Sequence, residues 1–207
     1  MMRGVFNAYY LSQSTEKVIF DTNRSWTGRM ALTKELYPDS RIICCVRDIE
    51  WILDSIERML NKNPLQLSRI FDFKPGTSLY ARTDTLMDPD TGLIGLPWST
   101  LREAWFGEQA RRMIFVRYDS LASTPKRVLD ALYKELGEAP FEHQFTGIEY
   151  DEPDYDADLG LPGLHKVRAT VEFQRRQSCL PPDLFTKFAE SSFWLRPELN
   201  IRGVTVL

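Results

Sequence analysis

Three short runs of apolar residues alternate with stretches of helical spacing along most of the chain. The runs at residues 17–21, 41–46 and 112–118 are rich in branched or aromatic side chains and are bounded by turn residues. Runs of this kind are typical of buried strands. Because helical patterns separate them, the sequence predicts an α/β fold of three layers with a mostly parallel central sheet.

Several predicted helices have recognisable ends. Asp48 is the expected N-cap of a helix that runs to about Leu60, and Pro125 and Gly137 bound another. Helices are also expected at residues 5–11, 26–36, 99–106 and 183–190. Between them, residues 61–98 are predicted to be irregular, and the acidic residues 149–158 are predicted to form a surface loop.

Composition narrows the class of protein without identifying it. The 207 residues are 43% hydrophobic and 27% charged, which suits one globular domain over residues 1–207. A net charge of −3 disfavours a nucleic-acid partner. The three cysteines form no disulfide framework, and Cys44 and Cys45 are interpreted as small buried hydrophobes. With no signal peptide and no apolar stretch of membrane-spanning length, a cytoplasmic location is expected.

Arg47 and Ser55 form the most informative pair of polar residues. Arg47 follows an apolar strand, where α/β folds place their ligands, and Ser55 lies beside the apolar stripe Ile49, Ile52, Ile56 and Met59 of the next helix. A guanidinium, a hydroxyl and a helix N-terminus together would bind a phosphate. The alternative is that Arg47 pairs with a neighbouring acid and Ser55 only borders a helix face.

Several segments together resemble the sulfotransferase family, whose donor is 3′-phosphoadenosine 5′-phosphosulfate (PAPS). The similar segments are residues 23–26, 37–48 with Ser55, 116–121, 124–125, 164–168 and 192–194. In that family an Arg at a strand end and a Ser eight positions later bind the 3′-phosphate of the donor, and Arg47 and Ser55 match in type and spacing. The resemblance also implies P-loop-NTPase-like layering and no metal.

Four further residues are candidates for the site, three of them through the resemblance and His165 as one of only two histidines. Lys166 and Arg168 match a late basic segment that covers the 3′-phosphate, although a solvated basic turn is the alternative. His165 is a candidate proton acceptor, and the alternative is a structural histidine. Family members of the cytosolic branch carry a histidine near the position of Asp21, so Asp21 is the second candidate base, unless it is a cap or a salt-bridge partner.

One element of the family is missing from its expected place. Family members begin with a strand and a loop rich in Gly, Ser and Thr that binds the 5′-phosphosulfate, but none of the eleven glycines fits a phosphate loop. Residues 22–29 are the nearest imitation, and Trp26 is bulky where a phosphate needs close backbone approach. The sequence therefore predicts a chain that is shortened at its N-terminus.

Two functions remain open at this point. The first is transfer of a sulfuryl group from PAPS to a hydroxyl or amine, and the second is a non-catalytic protein that binds 3′-phosphoadenosine nucleotides. A nucleotide kinase and a serine hydrolase lack their motifs. Residues 61–98 would shape the acceptor pocket, with Phe71, Phe73, Tyr80 and Trp98 as candidate lining residues. A small molecule, a lipid, a glycan or a peptide tyrosine would all be compatible as acceptor, and the oligomeric state, including a homodimer, is open.

Overall fold

A parallel sheet lies at the centre of the computed structural model, which describes residues 1–13, 16, 18–74 and 78–207. Strand β1 (Ile42–Val46) pairs in parallel with β2 (Met113–Arg117), and β2 pairs in parallel with β3 (Thr205–Val206). Val46 lies opposite Arg117, so the carboxyl ends of β1 and β2 are side by side. The predicted α/β class with a parallel sheet is confirmed.

Helices account for most of the remaining regular structure. The described helices are α1 (Met2–Gln13), α2 (Met30–Leu36), α3 (Ile49–Lys62), α4 (Leu79–Leu86), α5 (Gly95–Phe106), α6 (Tyr118–Ser123), α7 (Pro125–Leu136), α8 (Pro153–Asp158) and α9 (Pro182–Ala189). As predicted, α3 follows Asp48 and α7 lies between Pro125 and Gly137, whose positive φ of 74° is the left-handed conformation that glycine adopts readily. The predicted helix over 26–36 begins as a 3-10 turn and becomes α2 at Met30.

Alternate side chains of β2 pack into two hydrophobic cores, one on each face of the sheet. Met113 and Phe115 belong to a cluster with side chains of α3, α5 and α9, whereas Ile114 and Val116 pack against Val128 and Leu132 of α7. All four strand residues are at most 3% exposed. Burying both faces of a strand explains why the sequence shows an unbroken apolar run there.

The predicted strand at residues 17–21 is wrong for the part that the structure describes. Residues 18–21 form no strand, and Val18, Ile19 and Phe20 are 43%, 44% and 64% exposed. Lys17 lies outside the described residues. An apolar run becomes a strand only when a neighbouring strand pairs with its backbone, and residues 18–21 have no such neighbour.

Other expectations need smaller corrections. The region 61–98 contains α4, and the acidic segment 149–158 contains α8 with Asp156 fully buried. Strand β3 was not predicted, because two residues give no periodicity. Cys44 is buried as expected, but Cys45 is exposed, since alternate residues of β1 point to opposite faces.

The buried face of α3 carries acidic side chains. Asp54 and Glu57 are 0% and 1% exposed, whereas Ile52 and Ile56 of the predicted stripe are only partly buried. Glu57 accepts two hydrogen bonds from Arg82 of α4, at 2.9 and 2.6 Å, which ties these two helices together. Buried carboxylates are tolerated when each is paired in this way.

No helix in the described part of the chain is both long and apolar enough to cross a membrane. P-loop-like layering and a shortened start remain predictions.

Candidate anion-binding site

A cavity of about 750 Å³ lies where β1 and β2 end and α3 begins. Arg47 contributes from the end of β1, Ser55 from α3, and Tyr118 from the residue after β2. The remaining wall is formed mainly by residues 164–176, here called the strap. This is the edge at which parallel α/β sheets bind ligands.

Arg47 and Ser55 are in direct contact. The Nη1 of Arg47 donates a hydrogen bond of 3.1 Å to the Oγ of Ser55, which donates in turn to the carbonyl of Trp51 at 2.9 Å. The Arg47 guanidinium stacks 4.4 Å from the ring centre of Tyr118. Burial lowers the pKa of Arg47 from its usual value. The sequence alternative, an ion pair with Asp48 or Glu50, is not formed in the described part of the chain.

A second guanidinium reaches the same hydroxyl. Arg176, which ends the strap, places its Nη2 2.8 Å from the Oγ of Ser55 and 2.5 Å from the Oδ2 of Asp54. Besides burial, the positive charge of Arg176 also lowers the pKa of Arg47, so the two cations repel each other. An anion bound between the two guanidinium groups would offset this repulsion and would accept hydrogen bonds from their remaining N–H groups.

Asp54 holds Arg176 in place from behind the cavity. Its carboxylate, with no exposed surface, also accepts hydrogen bonds from Arg58 at 3.0 Å and from the backbone N–H of Cys179 at 2.7 Å. Burial acts to raise the pKa of Asp54, but these hydrogen bonds outweigh it and keep the pKa below its usual value. The carboxylate therefore stays charged and fixes the guanidinium.

The strap is fastened along its length to residues 145–150. Three backbone hydrogen bonds join the two segments: Val167 to Tyr150 at 3.0 Å, Ile148 to Ala169 at 3.0 Å, and Val171 to Phe145 at 2.9 Å. The structure thus brings the expected pair Lys166 and Arg168 to the same cavity as Arg47 and Ser55.

Lys166 and Arg168 are exposed, and each has a polar neighbour. Lys166 Nζ lies 3.5 Å from Asp151, and Arg168 donates to Gln174 at 2.9 Å. Both contacts lie at the surface, where such pairs are weak. These two side chains are therefore free to turn toward a bound anion at little cost.

His165 is oriented by a buried acid. Its Nδ1 lies 2.5 Å from the Oδ1 of Asp156, and its backbone N–H donates to the other carboxylate oxygen at 2.9 Å. Burial acts to raise the pKa of Asp156, but the hydrogen bonds from His165 outweigh this effect. The pKa of Asp156 is therefore below its usual value. His165 stands in the strap between the lining residues Leu164 and Lys166, and its side chain is 40% exposed.

Asp21 is placed away from the other candidate residues. Its Oδ2 accepts hydrogen bonds from Tyr10 at 2.7 Å and from the indole of Trp26 at 3.2 Å. It lines a different cavity, which borders Ser40, Arg41 and Ile42 at the start of β1. Since β1 spans about 16 Å and Arg47 follows its far end, the structure does not bring Asp21 and Arg47 together.

The candidate aromatic residues of the 61–98 region are dispersed. Trp98 lines a second cavity of about 240 Å³ that also borders Arg47. Phe71 lines a third cavity, Phe73 is 47% exposed, and the hydroxyl of Tyr80 donates to Asp183 at 3.1 Å. Of these four, Trp98 is the one that lies beside the anion-binding site.

Sequence reasoning missed three residues of this site. Arg176 is one of two adjacent arginines in a stretch without periodicity, and that pair was the only available signal. Asp54 lies among the other residues of a predicted helix, and Asp156 lies in a run of acidic residues. Nothing in the sequence therefore distinguished either residue from its neighbours. Arg176 and Asp156 act through partners that are distant or non-periodic in sequence, as with Ser55 and Arg176, which are 121 positions apart. Asp54 has a local partner in Arg58, four positions later, but its contacts with Arg176 and Cys179 are distant.

Comparison with known proteins assigns the first two thirds of the chain. The model of the sulfotransferase family matches residues 1–143, which include β1, α3, β2 and the residues Arg47, Ser55 and Tyr118. No curated protein and no solved structure matches the chain. The strap lies beyond the matched residues, so its role rests on its geometry.

Proposed function

Because this chain belongs to the sulfotransferase family, we propose that its donor is PAPS and that its acceptor is a hydroxyl or an amine. Membership of the family supports sulfuryl transfer as the general reaction. The observation that supports the nucleotide donor is the convergence of Arg47 and Arg176 on the hydroxyl of Ser55. In this proposal the three side chains bind the 3′-phosphate of the donor.

The residues of the cavity fit a phosphate group well. Two guanidinium groups supply charge-assisted hydrogen bonds, and the hydroxyl of Ser55, which accepts from both and donates its own proton to the carbonyl of Trp51, holds them side by side. The volume of about 750 Å³ falls within the range of small-molecule and cofactor pockets. Lys166 and Arg168 at the rim would add positive charge above the bound phosphate.

His165 is our candidate for the proton acceptor. Asp156 occupies its Nδ1, which leaves the Nε2 to receive the proton of the acceptor hydroxyl or amine. PAPS, when bound, supplies the sulfuryl group and a phosphate leaving group. The residues of this chain orient the nucleotide through its 3′-phosphate, and the strap holds His165 between two residues that line the cavity.

One observation favours the second candidate, a protein that binds 3′-phosphoadenosine nucleotides without transfer. No glycine is among the described residues that line the cavity, whereas phosphate loops use glycine for close backbone approach. The turn at residues 22–29, which imitates such a loop in sequence, includes Trp26 of the cavity at the start of β1. Measuring PAPS turnover beside nucleotide binding separates the two candidates.

The 3′-phosphate is expected to dominate nucleotide affinity. We expect adenosine 3′,5′-bisphosphate to bind at least about tenfold more tightly than adenosine 5′-monophosphate, because only the former fills the Arg47–Ser55–Arg176 site. Isothermal titration calorimetry with both nucleotides measures this ratio. Equal affinities would show that these residues do not bind a 3′-phosphate.

His165→Gln is expected to lower kcat for sulfuryl transfer from PAPS by about 100-fold, since it removes the proton acceptor. The affinity for adenosine 3′,5′-bisphosphate should stay within about twofold, because His165 does not line the cavity. Asp21→Asn is the matched control at the other end of β1 and should leave kcat nearly unchanged. A larger loss in Asp21→Asn than in His165→Gln would assign the base to Asp21.

A further inference from the structure

Helix α1 is attached to the rest of the protein by one of its faces. This inner face consists of four residues at helical spacing: Arg3, Phe6, Asn7 and Tyr10. Three of them form hydrogen bonds of 2.6 to 2.8 Å with residues 21–37, and the ring of Phe6 contacts Trp26. The inner face of α1 is therefore already covered by other residues of the chain.

The opposite, outer face of α1 is apolar and exposed. Met2, Val5 and Tyr9 follow one another at positions i, i+3 and i+7, and they are 54%, 65% and 60% exposed. Arg3 is the only charged residue in the sequence of α1, and it lies on the inner face. A surface helix normally presents polar or charged side chains to water, and a helix that is apolar on both faces is normally buried. The outer face of α1 therefore has the character of a covered surface.

The exposed apolar surface extends from α1 onto residues 18–20. These three residues are exposed, and Asp21, which follows them, accepts a hydrogen bond from Tyr10, whose ring contacts that of Tyr9. The three outer residues of α1 and residues 18–20 are here called the α1 patch. Six side chains that are each about half exposed, at roughly 200 Å² for a large side chain, give the patch an apolar area of roughly 650 Å². Monomeric proteins rarely expose an apolar patch larger than about 300–600 Å², so this area indicates an interaction surface.

Area and charge together favour a second copy of this chain as the partner. Each side of a standard protein interface buries about 800 Å², of which about 60% is apolar, so the α1 patch supplies enough apolar area for one side of a dimer. A lipid surface is bound best when basic side chains accompany the apolar ones. The cavity that adjoins the patch at Ile19 is lined by two basic and two acidic residues, Arg3, Arg41, Asp21 and Asp39. The neighbouring charges therefore cancel and offer no net attraction to an anionic lipid headgroup.

We propose that the α1 patch is the interface of a homodimer, in which α1 of one protomer packs against α1 and residues 18–20 of its partner across a two-fold axis. Such an interface uses the same surface twice, so it requires a face that tolerates its own copy. The outer face of α1 meets this requirement, because it carries no charge that its copy would repel. None of the described residues that line the anion-binding cavity belongs to the patch, so this proposal does not depend on the proposed function.

Val5→Glu is expected to separate the dimer into monomers. Val5 lies between Met2 and Tyr9 on the outer face, so the two-fold axis would bring two carboxylates into an apolar interface. We expect the dissociation constant of the dimer to rise at least about 100-fold, as measured by sedimentation equilibrium of the full chain. Leu65→Glu is the matched control, because Leu65 is 97% exposed and lies outside the α1 patch. Its dissociation constant should stay within about twofold of that of the unmodified protein.

Tyr9→Lys tests the same face with a charge of the opposite sign, so that a folding defect in one variant does not decide the outcome. Each variant should keep the circular dichroism spectrum of the unmodified protein, because each alters an exposed side chain. An unmodified chain that stays monomeric at about 100 µM would overturn the proposal, as would a dimer whose dissociation constant neither variant raises. Co-sedimentation with vesicles of phosphatidylcholine and phosphatidylglycerol, in place of self-association, would assign the patch to a lipid surface and overturn the dimer.

Discussion

Arg47→Ala is expected to weaken the binding of adenosine 3′,5′-bisphosphate by about 100-fold or more, equivalent to about 2.7 kcal/mol. The substitution removes a guanidinium that is already stacked on Tyr118 and hydrogen-bonded to Ser55, so its side chain is largely ordered before the ligand arrives. Calorimetric titration of both proteins with the nucleotide measures the difference.

Arg41→Ala is the matched control for this prediction. It removes the same charge from the other end of β1, where Arg41 lines the cavity that contains Asp21. We expect its nucleotide affinity to stay within about twofold of the unmodified protein. Similar losses in both variants would mean that the general positive charge, and not the site at Arg47, binds the nucleotide.

Asp54→Ala is expected to lower the free energy of unfolding by about 3 kcal/mol at pH 7. The substitution leaves two guanidinium groups, of Arg58 and Arg176, without their carboxylate and leaves the backbone N–H of Cys179 without an acceptor. Urea unfolding followed by circular dichroism measures the change. Since Arg176 is also a proposed phosphate ligand, nucleotide affinity should fall with stability.

Asp130→Ala provides the control for the loss of Asp54. Lys126 and Asp130 also form an i, i+4 ion pair, at 2.8 Å, but both side chains are exposed, and we expect the free energy of unfolding to change by less than about 0.5 kcal/mol.

The effect of Asp54→Ala on the free energy of unfolding should depend on pH. Because folding lowers the pKa of Asp54, its stabilising contribution is complete above the unfolded-state pKa of about 3.9 and disappears as the pH falls through the folded-state value. A difference of the same size at pH 2 and pH 7 would contradict this account.

The parts of the fold that could be predicted are those with a local cause. The five apolar residues at Ile42–Val46 and the Pro125–Gly137 pair each determine the structure of their own neighbourhood. Helix α3 begins after Asp48 as predicted, although the Asp48 side chain makes no capping hydrogen bond. The strand expected at 17–21 failed because pairing depends on a neighbour that the pattern itself does not provide. The two-residue strand β3 is specified by its pairing with β2 alone.

Some contacts of the candidate site could also be predicted from local sequence, and others could not. The eight-residue spacing of Arg47 and Ser55 corresponds to a hydrogen bond of 3.1 Å, because a strand end and the following helix fix that distance. Arg176 reaches Ser55 through the path of the strap, and Asp156 reaches His165 through the turn after α8. The sequence of the strap and of the turn after α8 shows no periodic pattern. These two contacts are therefore visible only in the tertiary structure.

The contacts that Arg47 makes before any ligand binds have a thermodynamic consequence. Its guanidinium already stacks on Tyr118 and donates to Ser55, so most of its conformational entropy is lost on folding and not on binding. The same side chain also borders the cavity of about 240 Å³ beside Trp98. A ligand in either cavity would therefore meet a guanidinium that is already in position, without any movement of the sheet.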